Sequence, residues 1–124
     1  MRTQIYKFLI LAGMTVCLFS PANGAGNAAE EINYLLQSVA QSNCAFFRNG
    51  KEHTSVEAEA HLRMKYERGR SYIDSAEQFI DRMASKSSLS GRTYFMQCSG
   101  QERQPSGQWL SEQLTDFRIQ TYIP

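Results

Sequence analysis

Two histidines and the glutamate between them are the residues of this chain whose types and spacing most suggest chemistry. His53, Glu57 and His61 follow one another at intervals of four residues. Residues four apart share a helical face, so Glu57 and His61 can touch if the segment is helical, and His53 can reach Glu57 from just before the helix. Such a set could bind a transition metal or supply a general acid and base.

The same three residues also have a purely structural explanation, which we favour. The spacing departs from the H-E-x-x-H pattern of zinc proteases, in which the two histidines lie one turn apart beside the catalytic glutamate. Glu57 would then orient His61 at the rim of an apolar stripe, and His53 would be an exposed turn residue. No metal site and no cofactor is predicted.

Two cations extend the group along the predicted helix. Lys65 and Arg68 fall on the same flank as Glu57 and His61. This cation-rich edge could bind the carboxylate or phosphate of a periplasmic protein, a glycan or another anionic ligand. A solvated helix face with ordinary ion pairs explains the same residues. The candidate binding residues are His53, Glu57, His61, Lys65 and Arg68.

Serines offer no clearer nucleophile. Ser87, Ser88 and Ser90 have no G-x-S-x-G motif around them, so they are predicted to be turn and cap residues. The favoured function is therefore a non-enzymatic binding or interaction protein. The alternative is a small hydrolase or metal-dependent enzyme that uses His61 and Glu57.

An N-terminal leader precedes the elements that must position these residues. Basic residues are followed by an apolar run, Phe8 to Phe19, which small, helix-breaking residues close. This pattern is typical of a secretory signal peptide, residues 1–24, with cleavage predicted between Gly24 and Ala25. The run is too short to span a bilayer. The mature chain, residues 25–124, is predicted to be a single small domain in the periplasm without a membrane anchor.

The charge of the mature chain argues against one class of partner. The leader holds two of the thirteen basic residues and none of the twelve acidic ones, so its removal changes the formal charge from +1 to −1. Binding to nucleic acid would need an excess of Lys and Arg, so no nucleic-acid partner is predicted.

Cleavage would also leave a single pair of cysteines. Cys17 lies in the leader, and Cys44 and Cys98 remain. Thiols exported to an oxidising compartment usually form disulfides, and this pair is predicted to do so. A metal or redox thiol pair is the rival interpretation, but neither cysteine has a CxxC partner or a nearby ligand set.

The first half of the mature chain is predicted to form a helix and a strand. Asn27 and Glu30 have the spacing of a capping box, and apolar residues then recur at helical intervals to about Ser42. Cys44–Arg48 is aromatic and stops at Asn49-Gly50, which predicts a strand and a turn.

A long helical pattern follows. Thr54 and Glu57 form a second capping box, and one apolar stripe continues through Gly69. The stripe comprises Ala58, Leu62, Tyr66, Gly69, Ile73, Ala76, Ile80 and Met83. Residues 55–85 are therefore predicted to form either one helix or two coaxial helices with a bend near Gly69 to Ser71.

The last third of the chain is predicted to form a strand and a helix. The strand is Thr93–Cys98, and an antiparallel register opposes Cys44 with Cys98, Phe46 with Met96, and Arg48 with Tyr94. Ser106 can cap a C-terminal helix whose apolar face comprises Trp109, Leu110, Leu114 and Phe117. The predicted fold is α+β and mostly helical, with a short helix, a strand, a long helix that is straight or bent, a strand, and a C-terminal helix. One disulfide links the two strands of the predicted antiparallel pair.

Several motifs together resemble a known family. They are the segments 31–36 (EINYLL), 44–53 (C-x-F-x-RNG-x-x-H), 57–62 (EA-x-x-HL), 75–80 (SAE-x-FI), 87–91 (SSLSG) and 109–110 (WL). The combination spans nearly all of the mature chain and resembles the enterobacterial YfeK-type proteins. That resemblance implies a small exported protein of Gram-negative bacteria, in a family without an assigned activity and without catalytic residues to transfer.

Overall fold

The computed structural model describes residues 25–122, together with positions 13, 15 and 16. The predicted signal peptide, residues 1–24, lies outside the described residues apart from those three positions. Within the described part of the chain, no helix combines the length and the apolar character needed to cross a membrane.

The first helix, α1, comprises Ala25–Gln41. Its inner face supplies much of the core, and Ile32, Leu35, Leu36 and Val39 are at most 1 % exposed. The predicted end near Ser42 is confirmed. The predicted N-cap is wrong, because the helix begins before Asn27 and places that residue in its first turn.

A β-hairpin follows α1. Strand β1, Ala45–Arg48, pairs antiparallel with β2, Lys51–His53. The two residues between the strands, Asn49 and Gly50, have φ angles of 51° and 78°. Positive φ at both central residues is what a two-residue hairpin of this twist requires. The predicted turn is confirmed, whereas β2 was not predicted.

The second helix, α2, comprises Ser55–Gly69. Its predicted capping box is confirmed: the Thr54 hydroxyl accepts from the Glu57 backbone N–H at 3.2 Å, and the Glu57 carboxylate accepts from the Thr54 N–H at 3.1 Å. These two bonds satisfy backbone groups that would otherwise lack partners at the start of the helix. They also fix Glu57 beside the cap.

The long helical pattern is broken after Gly69. A 3₁₀ turn, Arg70–Tyr72, leads to extended backbone at Ile73, and Ser75 then caps the short helix α3, Ala76–Phe79, which continues as a π-helix, Ile80–Ala84. The predicted bend is therefore confirmed.

The predicted coaxial arrangement of the two halves is wrong. Coaxial helices would separate positions 65 and 83 by about 27 Å at the helical rise per residue. Instead, the Lys65 Nζ donates to the Met83 carbonyl at 2.6 Å, and a Cβ built on Gly69 would lie 2.6 Å from the Met83 Cε. The second half folds back on α2, so both halves of the apolar stripe face one core.

The sheet has four strands in the order β2-β1-β3-β4. Strand β3, Phe95–Gln97, pairs antiparallel with β1, and Phe46 opposes Met96 as predicted. The Cys44–Cys98 disulfide is present, with a Cα–Cα distance of 4.3 Å. The predicted two-stranded pair is thus the centre of the sheet, to which β2 and the short strand β4, Gln104–Pro105, are added. The α+β class is confirmed.

The last helix, α4, comprises Ser106–Tyr122 and buries Leu110 and Leu114 against the core. Ser106 lies at its start as predicted, but its hydroxyl forms no cap. That Oγ atom is buried and has no hydrogen-bond partner among the described residues.

Candidate functional site

A narrow cavity of about 30 Å³ lies between the inner face of the sheet, helix α2 and the start of α4. We call it the His61 cavity. Its walls are mostly apolar, with Phe46, Leu62 and Leu110 among them. Its polar lining residues are Arg48, His53, His61, Tyr94 and Ser106.

The sheet brings three of these polar residues to one face. Arg48 follows Phe46 by two positions, so it shares the inner face of β1. His53 is paired with Phe46 across the hairpin. Tyr94 directly precedes β3 and lies two positions from Met96, which opposes Phe46, so it falls on the same face of the sheet. Arg48, His53 and Tyr94 therefore lie on the face of the sheet that packs against α2.

Helix α2 presents His61 and Lys65 to Tyr94. The His61 Nε2 and the Lys65 Nζ each lie 3.4 Å from the Tyr94 hydroxyl. The Lys65 ammonium also lies 5.2 Å from the centre of the Tyr94 ring. Both contacts are long for hydrogen bonds.

The His61 imidazole is held in its neutral form. Burial, followed by the positive charges of Arg48, Lys65 and His53, lowers the pKa of His61 to about 4. Burial also raises the pKa of the Tyr94 hydroxyl, and the charge of Arg48 opposes that shift. Both groups therefore act as neutral hydrogen-bonding groups near pH 7.

Arg48 has no ion-pair partner among the described residues. The cavity lining contains neither Asp nor Glu, and Arg48 makes no salt bridge within residues 25–122. Arg48 as a residue is partly buried. Arg48 therefore contributes a positive charge to the cavity lining that no ion pair among these residues offsets.

The four-residue spacing predicted that Glu57 and His61 could touch. In the structure they have different partners. The Glu57 carboxylate accepts from the Thr54 N–H and lies 3.5 Å from the His53 Nδ1, while His61 contacts Tyr94. The prediction of an exposed His53 is wrong. Its side chain is 14 % exposed, because pairing within the hairpin turns it toward the inner face.

The two candidate cations of α2, Lys65 and Arg68, have different environments. Lys65 is half-buried and donates to the carbonyls of Met83 and Lys86, so it binds the end of the π-helix. Arg68 is exposed and does not line the cavity. The five predicted binding residues therefore do not form one surface. His53 and His61 line the cavity, and Lys65 lies beside it. Glu57 caps the helix, and Arg68 is exposed to solvent.

Sequence reasoning missed three residues of the cavity as site residues: Arg48, Tyr94 and Ser106. The signal for the first two was present, because the predicted register already set Arg48 opposite Tyr94. Ser106 was interpreted as a cap, which its residue type favours.

The three serines of the 87–90 segment do form a turn: the Ser87 Oγ accepts from the N–H groups of Leu89 and Ser90. Among the residues with described positions, no group of three or more His, Cys, Asp or Glu could hold a metal ion.

Comparison with known proteins identifies the family but not an activity. The chain belongs to the Family of unknown function (DUF5329), whose pattern matches residues 26–118. It is similar to "Uncharacterized protein YfeK" of Salmonella typhimurium strain LT2, with 44 % identity over 91 residues, which cover 71 % of this chain and 76 % of the relative. No solved structure matches. The YfeK-type resemblance of the sequence motifs is confirmed.

Proposed function

We propose that this protein is a non-enzymatic binding protein of the periplasm, and that its site for an anionic ligand is the His61 cavity. The observation that carries this proposal is the convergence of Arg48, His53 and His61 on a cavity whose lining contains no carboxylate. A guanidinium with no internal counter-ion favours an external carboxylate or phosphate, because charge-assisted hydrogen bonds to such anions are strong.

Three observations support the periplasmic location. The leader has the features of a signal peptide. The family match begins at residue 26, next to the predicted cleavage site. The disulfide is of a kind that persists in oxidising compartments. N-terminal sequencing of the protein from a periplasmic extract should begin at Ala25; a chain that retains Met1 in the cytoplasmic fraction would contradict the proposed location.

The alternative, a hydrolase or metal-dependent enzyme that uses His61 and Glu57, has less support. Such an enzyme would need Glu57 to orient or activate His61. Glu57 is instead occupied by the Thr54 cap and by His53. A binding function needs only the Arg48 cation and the cavity, and it requires no rearrangement of these contacts.

The binding proposal can be tested by titrating the purified protein with sodium acetate at low ionic strength and following backbone amide signals by NMR. We expect saturable shifts at Arg48, His61 and Tyr94. Arg48→Gln should weaken the apparent affinity at least about tenfold, in line with the loss of one charge-assisted pair. Arg68→Gln is the matched control, since Arg68 is a cation of the neighbouring helix outside the cavity, and should bind as the native protein does. Equal weakening by both variants would indicate general charge attraction and would contradict a site at the cavity.

A further inference from the structure

The outer face of the sheet presents two adjacent phenylalanines that the fold does not bury. Side chains alternate between the two faces of a strand, so Phe47 lies on the face opposite to that of Phe46. Phe95 opposes Phe47 across the β1–β3 pair and shares its outer face. Phe95 is 37 % exposed, whereas Phe46 is 7 % exposed. Two neighbouring rings at the surface offer a flat apolar contact area that a single surface residue does not.

A groove of about 520 Å³ lies beside these rings, and we call it the outer groove. Its lining includes both rings together with Glu52, Arg92, Thr93 and Arg103. The rings also border the His61 cavity, but these four polar residues do not. Small-molecule sites typically have roughly 300 to 1,000 Å³ of space, and both polar and apolar atoms of the lining are accessible from this groove. An occupant could therefore contact its charged groups directly.

Two exposed arginines in the groove have no ion-pair partner within residues 25–122. The Arg103 Cζ lies 3.6 Å from the centre of the Phe47 ring. Arg92 lies at the hairpin turn, where its Nη2 is 3.8 Å from the position of a Cβ built on Gly50. Stacking on the ring orients the planar Arg103 guanidinium, and its N–H donors lie in that plane. Such a fork is suited to a carboxylate, which it can bind through two parallel hydrogen bonds.

Glu52 adds an acceptor of the opposite charge. It opposes Phe47 across the β1–β2 pair, so it lies on the same outer face. It is exposed and forms no salt bridge in the part of the chain that the structure describes. Two cations and one carboxylate favour a ligand that carries an anionic group and also has hydroxyl or N–H donors.

The spacing and the backbone of the sheet favour a saccharide over a peptide. Strands β2 and β3 flank β1, so Glu52 and Phe95 lie two strand spacings apart, roughly 9 to 10 Å, which suits a ligand of two sugar rings. The backbone groups of β1 are used for pairing on both sides, so a peptide laid over them would leave its own amides without backbone partners. A sugar needs only side-chain partners for its hydroxyls and an apolar surface for its ring.

From these features we propose that the outer groove binds an acidic saccharide through a uronic acid residue. The uronate carboxylate accepts hydrogen bonds from Arg103, and the apolar face of its ring contacts Phe95. Hydroxyls of the same or the adjacent sugar donate to Glu52 and accept from Arg92. This site uses none of the polar residues of the His61 cavity, so the inference goes beyond the proposed function and does not depend on it.

The test is an NMR titration of the mature protein at pH 7 with three probes: digalacturonate, its neutral dimethyl ester, and the peptide acetyl-Glu-Ala-Glu-amide, which has the same charge as digalacturonate. We expect saturable shifts of the Glu52 and Thr93 amide signals with digalacturonate. It should bind at least about tenfold more tightly than the ester, because the ester lacks the charge that Arg103 recognises. It should bind about fivefold more tightly than the peptide, whose backbone amides find no partners in the groove.

Variants separate the contributions of the charge and of the ring. Arg103→Gln should weaken digalacturonate binding at least about tenfold. Arg92→Gln removes the second cation without disturbing the Phe47 stack and should also weaken it. Phe95→Leu keeps an apolar side chain but removes the flat ring, and should weaken binding about threefold. Arg68→Gln is the matched control, because Arg68 is exposed and lies outside the groove, and it should bind as the native protein does.

Each other outcome would overturn a stated part of the proposal. If the peptide binds as tightly as digalacturonate, the saccharide class is wrong. If the ester binds as tightly, the carboxylate has no role. If no probe shifts the groove signals, or if both arginine variants bind as the native protein does, the outer groove is not the site. Because the His61 cavity is tested with acetate and is read out at His61, either site can fail while the other stands.

Discussion

At the scale of single residues, the His61 imidazole has a pKa well below its ordinary value of 6.5. Its pKa is lowered to about 4, first by burial and then by the charges of Arg48, Lys65 and His53. The unfolded chain protonates the same imidazole near pH 6.5. Between these two values the unfolded state binds more protons than the folded state. The part of the unfolding free energy that depends on His61 is therefore greatest above about pH 6.5 and is lost as the pH falls toward 4.

This difference predicts a pH dependence that one substitution should reduce. Between pH 7.5 and pH 5 the native protein should lose about 1 kcal/mol of unfolding free energy through His61, a figure discounted for solvent screening of a half-exposed group. The His61→Gln variant should show a smaller loss over the same range in urea denaturation. A pH dependence identical in the two proteins would show that His61 titrates normally in the folded state.

Lys65 and Arg68 show how two cations on one helix flank can differ in role. Lys65 donates to the Met83 carbonyl at 2.6 Å and is half-buried, whereas Arg68 is exposed. Hydrogen bonds from charged donors contribute more than neutral ones, so Lys65→Ala should cost about 1 to 2 kcal/mol of unfolding free energy. Arg68→Ala should change it by less than about 0.5 kcal/mol. Equal, small effects in both variants would contradict the helix-end role of Lys65.

At the scale of elements, Arg118 connects three helices that are distant in sequence. From α4 it makes a bidentate ion pair with Glu31 of α1, at 2.5 and 3.0 Å, and a further pair with Glu77 of α3 at 2.5 Å. Glu31 is 5 % exposed, so its carboxylate depends on this guanidinium for compensation. The hydrogen bond from Arg118 is also the main reason that the pKa of Glu77 is lowered.

Removing the shared guanidinium should therefore be costly. Arg118→Gln leaves the Glu31 carboxylate buried without its partner, and we expect a loss of about 2 to 3 kcal/mol in urea denaturation. Glu77→Gln is the matched control: its side chain is 55 % exposed, so the loss should be at most about 1 kcal/mol. If Glu77→Gln were the more damaging of the two, Arg118 would not be acting mainly through Glu31.

Elements with strong local signals were predictable from the sequence. The positive-φ pair Asn49-Gly50, the Thr54–Glu57 capping box and the register that opposes Phe46 with Met96 each depend on neighbouring residues or on the disulfide constraint. Strand β2 was not predictable in the same way. Its sequence, Lys-Glu-His, has low strand propensity, and only pairing with β1 makes it extended.

The back-folding after Gly69 and the orientation of Ser106 depend on tertiary contacts. The apolar stripe keeps its phase through the break, so periodicity alone could not separate a straight helix from one that returns over itself. Serine at the start of a helix is normally a cap, and its hydroxyl is free of that role here. The candidate site was therefore half predicted: His53 and His61 were identified, while the cavity that joins them to Arg48 and Ser106 was not.

At the scale of the whole molecule, the disulfide closes a loop of 54 residues that contains the hairpin, α2 and α3. Its removal in the Cys44→Ser/Cys98→Ser double variant should cost roughly 4 kcal/mol on the chain-entropy model. Thiol labelling of the mature protein under non-reducing, denaturing conditions should find no free thiol. Two reactive thiols in exported protein, or a double variant as stable as the native chain, would contradict the role of the disulfide.

The disulfide links the two strands that contribute Phe46, Phe47, Arg48 and Phe95 to the cavity lining. Cys44 directly precedes β1, and Cys98 directly follows β3, so the disulfide fixes the two strands that carry Arg48 and face Tyr94. The oxidation state of this cysteine pair and the geometry of the cavity are thereby connected. The proposed ligand binding should accordingly require the oxidised protein.

The measurement that tests the central claim most directly is the NMR signal of the His61 imidazole during titration with butyrate at pH 7. Binding of an anion at the cavity predicts a saturable shift of this signal in the native protein, no saturable shift with the neutral butyramide, and loss of the butyrate response in Arg48→Gln but not in Arg68→Gln. A His61 signal that moves equally with both probes, or that does not move while amide signals around Arg68 do, would show that the anion site is not the His61 cavity.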